Sequence, residues 1–201
     1  MDGSGSTFTD SSGSPQTITA TGNVTQSTTQ SKFGGKSASF DGNGDYLETG
    51  SGSQNTFGTG DLCIEFWTYA NSIGSNTCLV DQQNGLLIRQ ASTNMLSIYS
   101  RVGEVFFNSA NNVLTTGVWQ HIAVSRSGTT LSAYVNGQRV VTGTSSANLT
   151  GTVFRVGAFI DNSGSGFVLN GYIDELRITK GTARGYTGST ITVPTAAFPD
   201  A

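Results

Sequence analysis

The chain has 201 residues, the size of one large or two small domains, and no linker divides it. With 11% charged residues, a net charge of -3 and only 10 Lys plus Arg without a basic run, a sequence-independent grip on nucleic acid is excluded. Ser, Thr and Gly (25, 28 and 27) make up 80 of the 201 residues, which disfavours long helices and suits strands joined by turns, while only 3 Pro and recurrent apolar stretches exclude a disordered low-complexity chain.

The opening MDGSGSTFTD has neither a charged n-region nor an apolar h-region, and no apolar run approaches the roughly 20 residues of a bilayer span, so the chain reads as soluble, with no membrane insertion. Residues 1–35 form a polar stretch with one weak strand, QTITATG (16–22). Strand signals then follow at KSASFDG (36–42), DYLETG (45–50), DLCIEFWTYA (61–70), GLLIRQ (85–90), MLSIYSR (95–101) and EVFFN (104–108). They continue at VWQHIAVSR (118–126), TLSAYVNGQ (130–138), VFRVGAF (153–159) and NGYIDELRITK (170–180), before a tail, 181–201, with little to bury. About eleven short strands spaced by turns predict an all-β, two-sheet antiparallel jelly-roll sandwich of a single domain. Two hairpins are marked: one turns through Ser127-Gly128, and the next through Asn136-Gly137, whose residues suit the positive φ angles of a type I′ turn before QRVV.

Alternation assigns the faces. Leu62, Ile64, Phe66 and Thr68 share one side and Cys63, Glu65, Trp67 and Tyr69 the other, with the first set on the core. In the following hairpin Ile122 and Val124 pair as core with Leu131, Ala133 and Val135, which turns Trp119, His121 and Tyr134 to the opposite face. A sheet with aromatics on its non-core side is either covered by a loop or binds something. Sugar C–H faces stack on aromatic rings while neighbouring polar groups bond the hydroxyls, so Trp67, Tyr69 and Tyr134, with Glu65, are candidates for a binding platform; the alternative is a second packed layer, to which Trp119 is assigned.

The succession FGGKSASFDGNGDYLE (33–48), LCIEFWTYAN (62–71), GVWQHIAVSRSGTTLSAYVNGQRV (117–140) and NGYIDELRITKGTAR (170–184) resembles the concanavalin A-like jelly rolls of the laminin G type, in the short form carried by bacteria and phages, over roughly residues 30–185. The resemblance implies two antiparallel sheets, one with a concave face, in a module of phage or bacterial surface proteins, hence extracellular or on a virion. It names no ligand. Family members usually begin with an apolar first strand that Met1-Asp2-Gly3 does not supply, so the chain reads as one module of a larger protein with protein neighbours in an assembly.

Asp41-Gly42-Asn43-Gly44-Asp45 places oxygens at alternate positions, but an EF-hand would need Gly at 46 and Glu at 52, where Tyr46 and Gly52 stand. An Asx-type turn and part of a calcium site remain. Asp174 shares its phase with Tyr172, Leu176 and Ile178 and so points to a mostly buried side, where it must be neutralised by a cation, an Arg or backbone N–H groups. Related jelly rolls hold a structural cation between an early acidic residue and the Asp of the last strand, which implies Asp2 or Asp41 with Asp174 as ligands of a structural Ca2+. Gly35-Lys36-Ser37 imitates the end of a P-loop, but Gln30 stands where a Gly is required and a strand follows.

Catalysis lacks its parts. His121 is the only histidine and lies mid-strand, no G-x-S-x-G elbow occurs, Glu65 has no second acid at alternate spacing, and adjacent Asp174 and Glu175 face apart, so the chain is expected not to be an enzyme. A hairpin turning at 71–76 would put Cys78 opposite about Tyr69 and Cys63 opposite about Asn84, which leaves a disulfide to an irregular register. Two functions follow from these residues: recognition of a glycan or surface receptor through the aromatic face, or structural decoration of a shell or fibre.

Overall fold

In a computed structural model the described residues are 2–160 and 167–200, Asp2 and Gly3 by their backbone. A hairpin of β1 (Asp2–Ser4) and β2 (Thr7–Thr9) leads into β3 (Ile18–Thr21), β4 (Thr25–Ser27), β5 (Ser37–Asp41) and β6 (Tyr46–Thr49). The middle of the chain forms β7 (Leu62–Ala70), β8 (Asn76–Gln82), β9 (Leu86–Ala91), β10 (Met95–Ser100) and β11 (Val105–Asn108). The rest supplies β12 (Trp119–Ser127), β13 (Thr130–Val135), β14 (Gln138–Thr144), β15 (Phe154–Val156) and β16 (Asn170–Lys180). Two antiparallel seven-stranded sheets result: sheet I in the order β14-β13-β12-β7-β16-β5-β4 and sheet II in the order β11-β10-β9-β8-β15-β6-β3.

Apolar residues at alternate positions on both sheets meet in one core. β7 contributes Leu62, Ile64 and Phe66, and β12 contributes Ile122 and Val124, which join Leu79, Ile88, Leu96 and Ile98 of sheet II in a single buried cluster. The predicted register of the hairpin is observed, with Ile122 opposite Val135 and Val124 opposite Ala133. Asn136 (φ 48°) and Gly137 (φ 83°) make the type I′ turn. The preceding turn lies one residue later than predicted, because Ser127 still pairs with Thr130 and the two loop residues are Gly128 and Thr129.

Two local expectations change. β7 and β8 are not a hairpin: β7 pairs with β12 and β16, and β8 lies in sheet II between β9 and β15. Cys63 and Cys78 therefore sit in different sheets as buried free thiols, each pushed upward in pKa, first by burial and then by a nearby carboxylate. β16 carries a bulge. Asp174 lies opposite Trp67 but Arg177 lies opposite Glu65, an extra residue taken up where Glu175 adopts φ 51°. After the bulge the alternation inverts, and Arg177 joins Asp174 on the outer face.

One charge is built into the edge of the core. Arg126 is fully buried and donates to the carbonyls of Gly58, Gly60 and Ala147, clamping two loops to the end of β12. Burial lowers its pKa, and the carbonyl dipoles replace the water it has lost.

Candidate functional site

The outer face of sheet I, where alternation placed Glu65, Trp67, Tyr69 and Tyr134, is covered over most of its area by segments remote in sequence. Glu65 is fully buried. Its Oε1 accepts from Arg177 at 2.7 and 3.0 Å and its Oε2 from the Tyr186 hydroxyl at 3.0 Å. Arg184 Nε stands 3.4 Å from Oε1 and His121 Nε2 3.4 Å from Oε2, an ion-pair approach longer than a good hydrogen bond. Burial alone would raise the Glu65 pKa, but its contacts with His121, Arg177 and Tyr186 outweigh burial and hold it below the ordinary carboxylate value.

Solvent access to Trp67 and Tyr134, which a sugar platform requires, is absent. Trp67 is 5% exposed, lying beneath Lys32, whose Nζ is 3.9 Å from the ring centroid, with Phe33 edge-on at 6.0 Å and His121 at 5.3 Å. Tyr134 is wholly buried, and its hydroxyl donates to the Gly188 carbonyl. The cover is the chain's own tail, fixed by Ile191 N–H to Gly137 O, Arg139 N–H to Ser189 O and Ser125 Oγ to Tyr186 O. Tyr69 alone of the four is part-exposed, centred between Trp119 at 5.7 Å and Tyr172 at 5.9 Å, both edge-to-face.

The structure does not bring Asp41 to Asp174 as a calcium staple would require. Asp41 lies opposite Asn170, four residues along β16 from Asp174, which is about 13 Å of strand, whereas one Ca2+ reaches oxygens at about 2.3–2.6 Å. Asp174 is instead a backbone cap: its Oδ2 accepts from the N–H groups of Lys32 and Phe33 and its Oδ1 from that of Glu175. Asp41 accepts from Asn43 N–H as an Asx turn and from Asn23 Nδ2. The Asp2 side chain lies outside the described residues. We expect Asp174→Ala to cost about 1–3 kcal/mol, because buried N–H groups lose their acceptor, and chelator to leave the Tm unchanged; a fall in Tm on chelation would restore the cation.

A cavity of about 710 Å³ opens between the sheets beside Leu47, Phe154 and Ile178, walled by residues 8–16 and 197–200. Its polar groups are turned on one another: Asp10 accepts from Ser12 and Gln16 N–H, Glu175 from Phe198 N–H, and Lys180 donates to Ser53 O.

The outer face of sheet II differs. Where the strands cross, Tyr99 of β10 lies opposite Phe106 of β11 and Leu87 of β9, and the next row joins Arg89, Ser97 and Asn108. The Tyr99 and Phe106 rings stack at 4.4 Å and 23°, and Phe106 keeps 51% of its surface open. Arg89 reaches over the Phe106 ring at 5.1 Å. Farther across the face, Arg101 grips buried Asp81 through two bonds of 2.7 and 2.9 Å, and Arg155 pairs with Glu48 while lying 4.0 Å over the Tyr46 ring. This surface has a half-open aromatic ring, a cation and the exposed amide of Asn108, the composition of a polar-ligand site. Sequence reasoning missed it because EVFFN on an edge strand gives no sign of which side faces solvent.

Residues 41–184 match the family model described as the concanavalin A-like lectin/glucanases superfamily, of laminin G type. No curated protein matches the chain in sequence. Among solved structures it is similar to domain 4 of AbnA, a GH43 extracellular arabinanase from Geobacillus stearothermophilus in complex with arabinotriose (TM-score 0.63, 20% identity, 84% of each chain). It is also similar to the binding domain of botulinum neurotoxin DC in complex with SialylT (TM-score 0.61, 16% identity, 87% of this chain and 45% of that one). Domains LG4-5 of the mouse laminin alpha1 chain follow (TM-score 0.57, 16% identity, 79% and 47%). The chain spans less than half the length of the last two, and at these identities the likeness is one of fold. The two seven-stranded sheets, the order of their strands and a match running through most of the sequence give one conclusion: the chain belongs to the concanavalin A-like lectin/glucanases superfamily, in its laminin G form.

Proposed function

We propose that the chain is a non-catalytic recognition module, acting outside a cell or on a virion, that binds glycan or a cell-surface receptor through the outer face of sheet II. The observation that carries this is the stacked Tyr99–Phe106 pair, its Phe106 ring half open to solvent, on the sheet face that the chain's tail leaves uncovered. Exposing a large aromatic costs solubility unless a partner uses it, and its ring offers a sugar the apolar surface that hydroxyl-binding groups beside it lack. Arabinotriose and SialylT accompany two of the structures of similar fold, which supports a saccharide ligand. Against hydrolysis, Glu65 is sealed among arginines, and no second carboxylate stands beside it among the described residues.

Glycan-array and cell-binding measurements with Phe106→Ala test the proposal. Binding should be lost while stability falls by about 1 kcal/mol or less, since half of the side chain is open to solvent. Tyr69→Ala, which removes the centre of the part-exposed trio on sheet I, should leave binding intact. Binding that survives Phe106→Ala and disappears with Tyr69→Ala would move the site to sheet I.

A further inference from the structure

The arginines of this protein are nearly all satisfied. Arg101 and Arg155 sit on Asp81 and Glu48, Arg177 and Arg184 on Glu65, and Arg126 on three carbonyls, while Arg139 is exposed beside Thr187 O. Arg89 is different. Among the described residues no carboxylate approaches it: Nη1 donates to Asn76 Oδ1 at 2.7 Å, Nε to Ser97 Oγ at 3.4 Å, and Nη2 has no partner. These two bonds fix the plane of the guanidinium and leave donors on one side unused. Burial lowers its pKa, with Tyr99 opposing, so its charge is held at a cost that a bound anion would relieve.

The position of this cation matters. It lies over the Phe106 ring, in the row next to Tyr99 and Phe106, with the exposed amide of Asn108 two strands away in its own row. Resting on the recognition role assigned above to this face, we propose that its ligand is an acidic glycan, a saccharide carrying a carboxylate, and that Arg89 receives that carboxylate while Phe106 receives the sugar ring. A guanidinium whose Nη2 donors are unspent offers a carboxylate a charge-assisted hydrogen bond that a neutral sugar does not exploit. A sugar suits the face better than an acidic peptide does. The central strands' own amides are spent in the sheet ladders, so a peptide backbone lying across the face finds no partners, whereas a sugar brings hydroxyls for Asn108 and an apolar ring face for Phe106. The net charge of -3 gives an acidic ligand no long-range attraction, so selectivity rests on this local contact.

Titration calorimetry of the wild-type chain with two matched pairs, trigalacturonate against galactotriose and 3′-sialyllactose against lactose, reads the acid preference without any variant. At least one acidic member should bind about tenfold or more tighter than its neutral mate, the usual yield of a charge-assisted hydrogen bond. Which pair responds separates uronic from sialic acids. Arg89→Met, folded with a near wild-type Tm, should bring the two members of that pair together, and Phe106→Ala should weaken both. Equal affinities that Arg89→Met leaves unchanged would overturn the acidic class while the recognition role of the face stands. Binding of oligoglutamate in place of the acidic sugars would reassign the face to peptide, and binding of no saccharide at all would overturn both the ligand class and the face.

Discussion

Replacing Glu65 by alanine is expected to cost about 3–5 kcal/mol of folding stability, the range found when one partner of a buried ion pair is removed. The carboxylate is fully buried, and Arg177, Arg184, Tyr186 and His121 converge on it, so its loss strands two guanidiniums and a hydroxyl on the outer face of β7. The tail also loses an anchor there. Trypsin should cleave after Arg184 faster in the variant, although the backbone bonds of Ser189 and Ile191 still hold the following residues. The sign of the pH dependence follows from the depressed pKa of Glu65. The unfolded chain binds the proton more readily, so the stabilisation is present in full above about pH 4.3, the free glutamate value, and is lost as pH falls through the lower folded value. Thermal melts should therefore show the wild type losing stability below that point more steeply than Glu65→Gln. Equal acid slopes, or a Glu65→Ala protein as stable as wild type, would show that the pair network does not hold the tail.

Trp67→Ala should lower stability by about 3–5 kcal/mol, because truncating a buried Trp forfeits both its transfer energy and the packing of the cavity left behind. For a chain of this length that corresponds to a Tm lower by roughly 6–20 °C. The covering segment explains why the site cannot simply open to a ligand: the Lys32 and Phe33 N–H groups are held by Asp174, which seats the Lys32 ammonium and the Phe33 ring against the indole. Trp67→Phe should recover part of the loss by keeping an aromatic under Lys32. A Trp67→Ala protein with an unchanged Tm and lost glycan binding would make the indole a ligand platform after all.

What could be read in the sequence was what depends on near neighbours. The core side of β7 follows from strict alternation, because a one-residue slip would carry Leu62, Ile64 and Phe66 out of the apolar layer. The turn at Asn136 and Gly137 follows from the two residue types that tolerate positive φ, and with it the pairing of Val135 with Gln138 and Tyr134 with Arg139, after which a bulge shifts the register of β13 and β14. The all-β class follows from composition and turn spacing, but the strand number does not: about eleven were expected and sixteen form among the described residues, since three-residue strands such as β1, β2 and β4 are too short to show alternation.

The tertiary structure decided which outer face is open. Alternation finds Trp67, Tyr134 and Glu65 on the non-core side of sheet I but carries no information on what lies above them, and the cover comes from residues 32–33 and 183–191, up to about 120 positions away in the chain. It also decided the partner of Glu65. Leu176 and Ile178 share a sequence phase with Asp174, yet Glu175 at positive φ, a conformation its residue type does not announce, inserts a bulge that turns Arg177 onto Glu65. The same limit hid the face proposed for recognition. Arg89, Tyr99 and Phe106 come from three strands whose segments look like ordinary strand sequence, and only their pairing within sheet II shows that the stacked rings stand beside a guanidinium that no carboxylate of the described residues approaches.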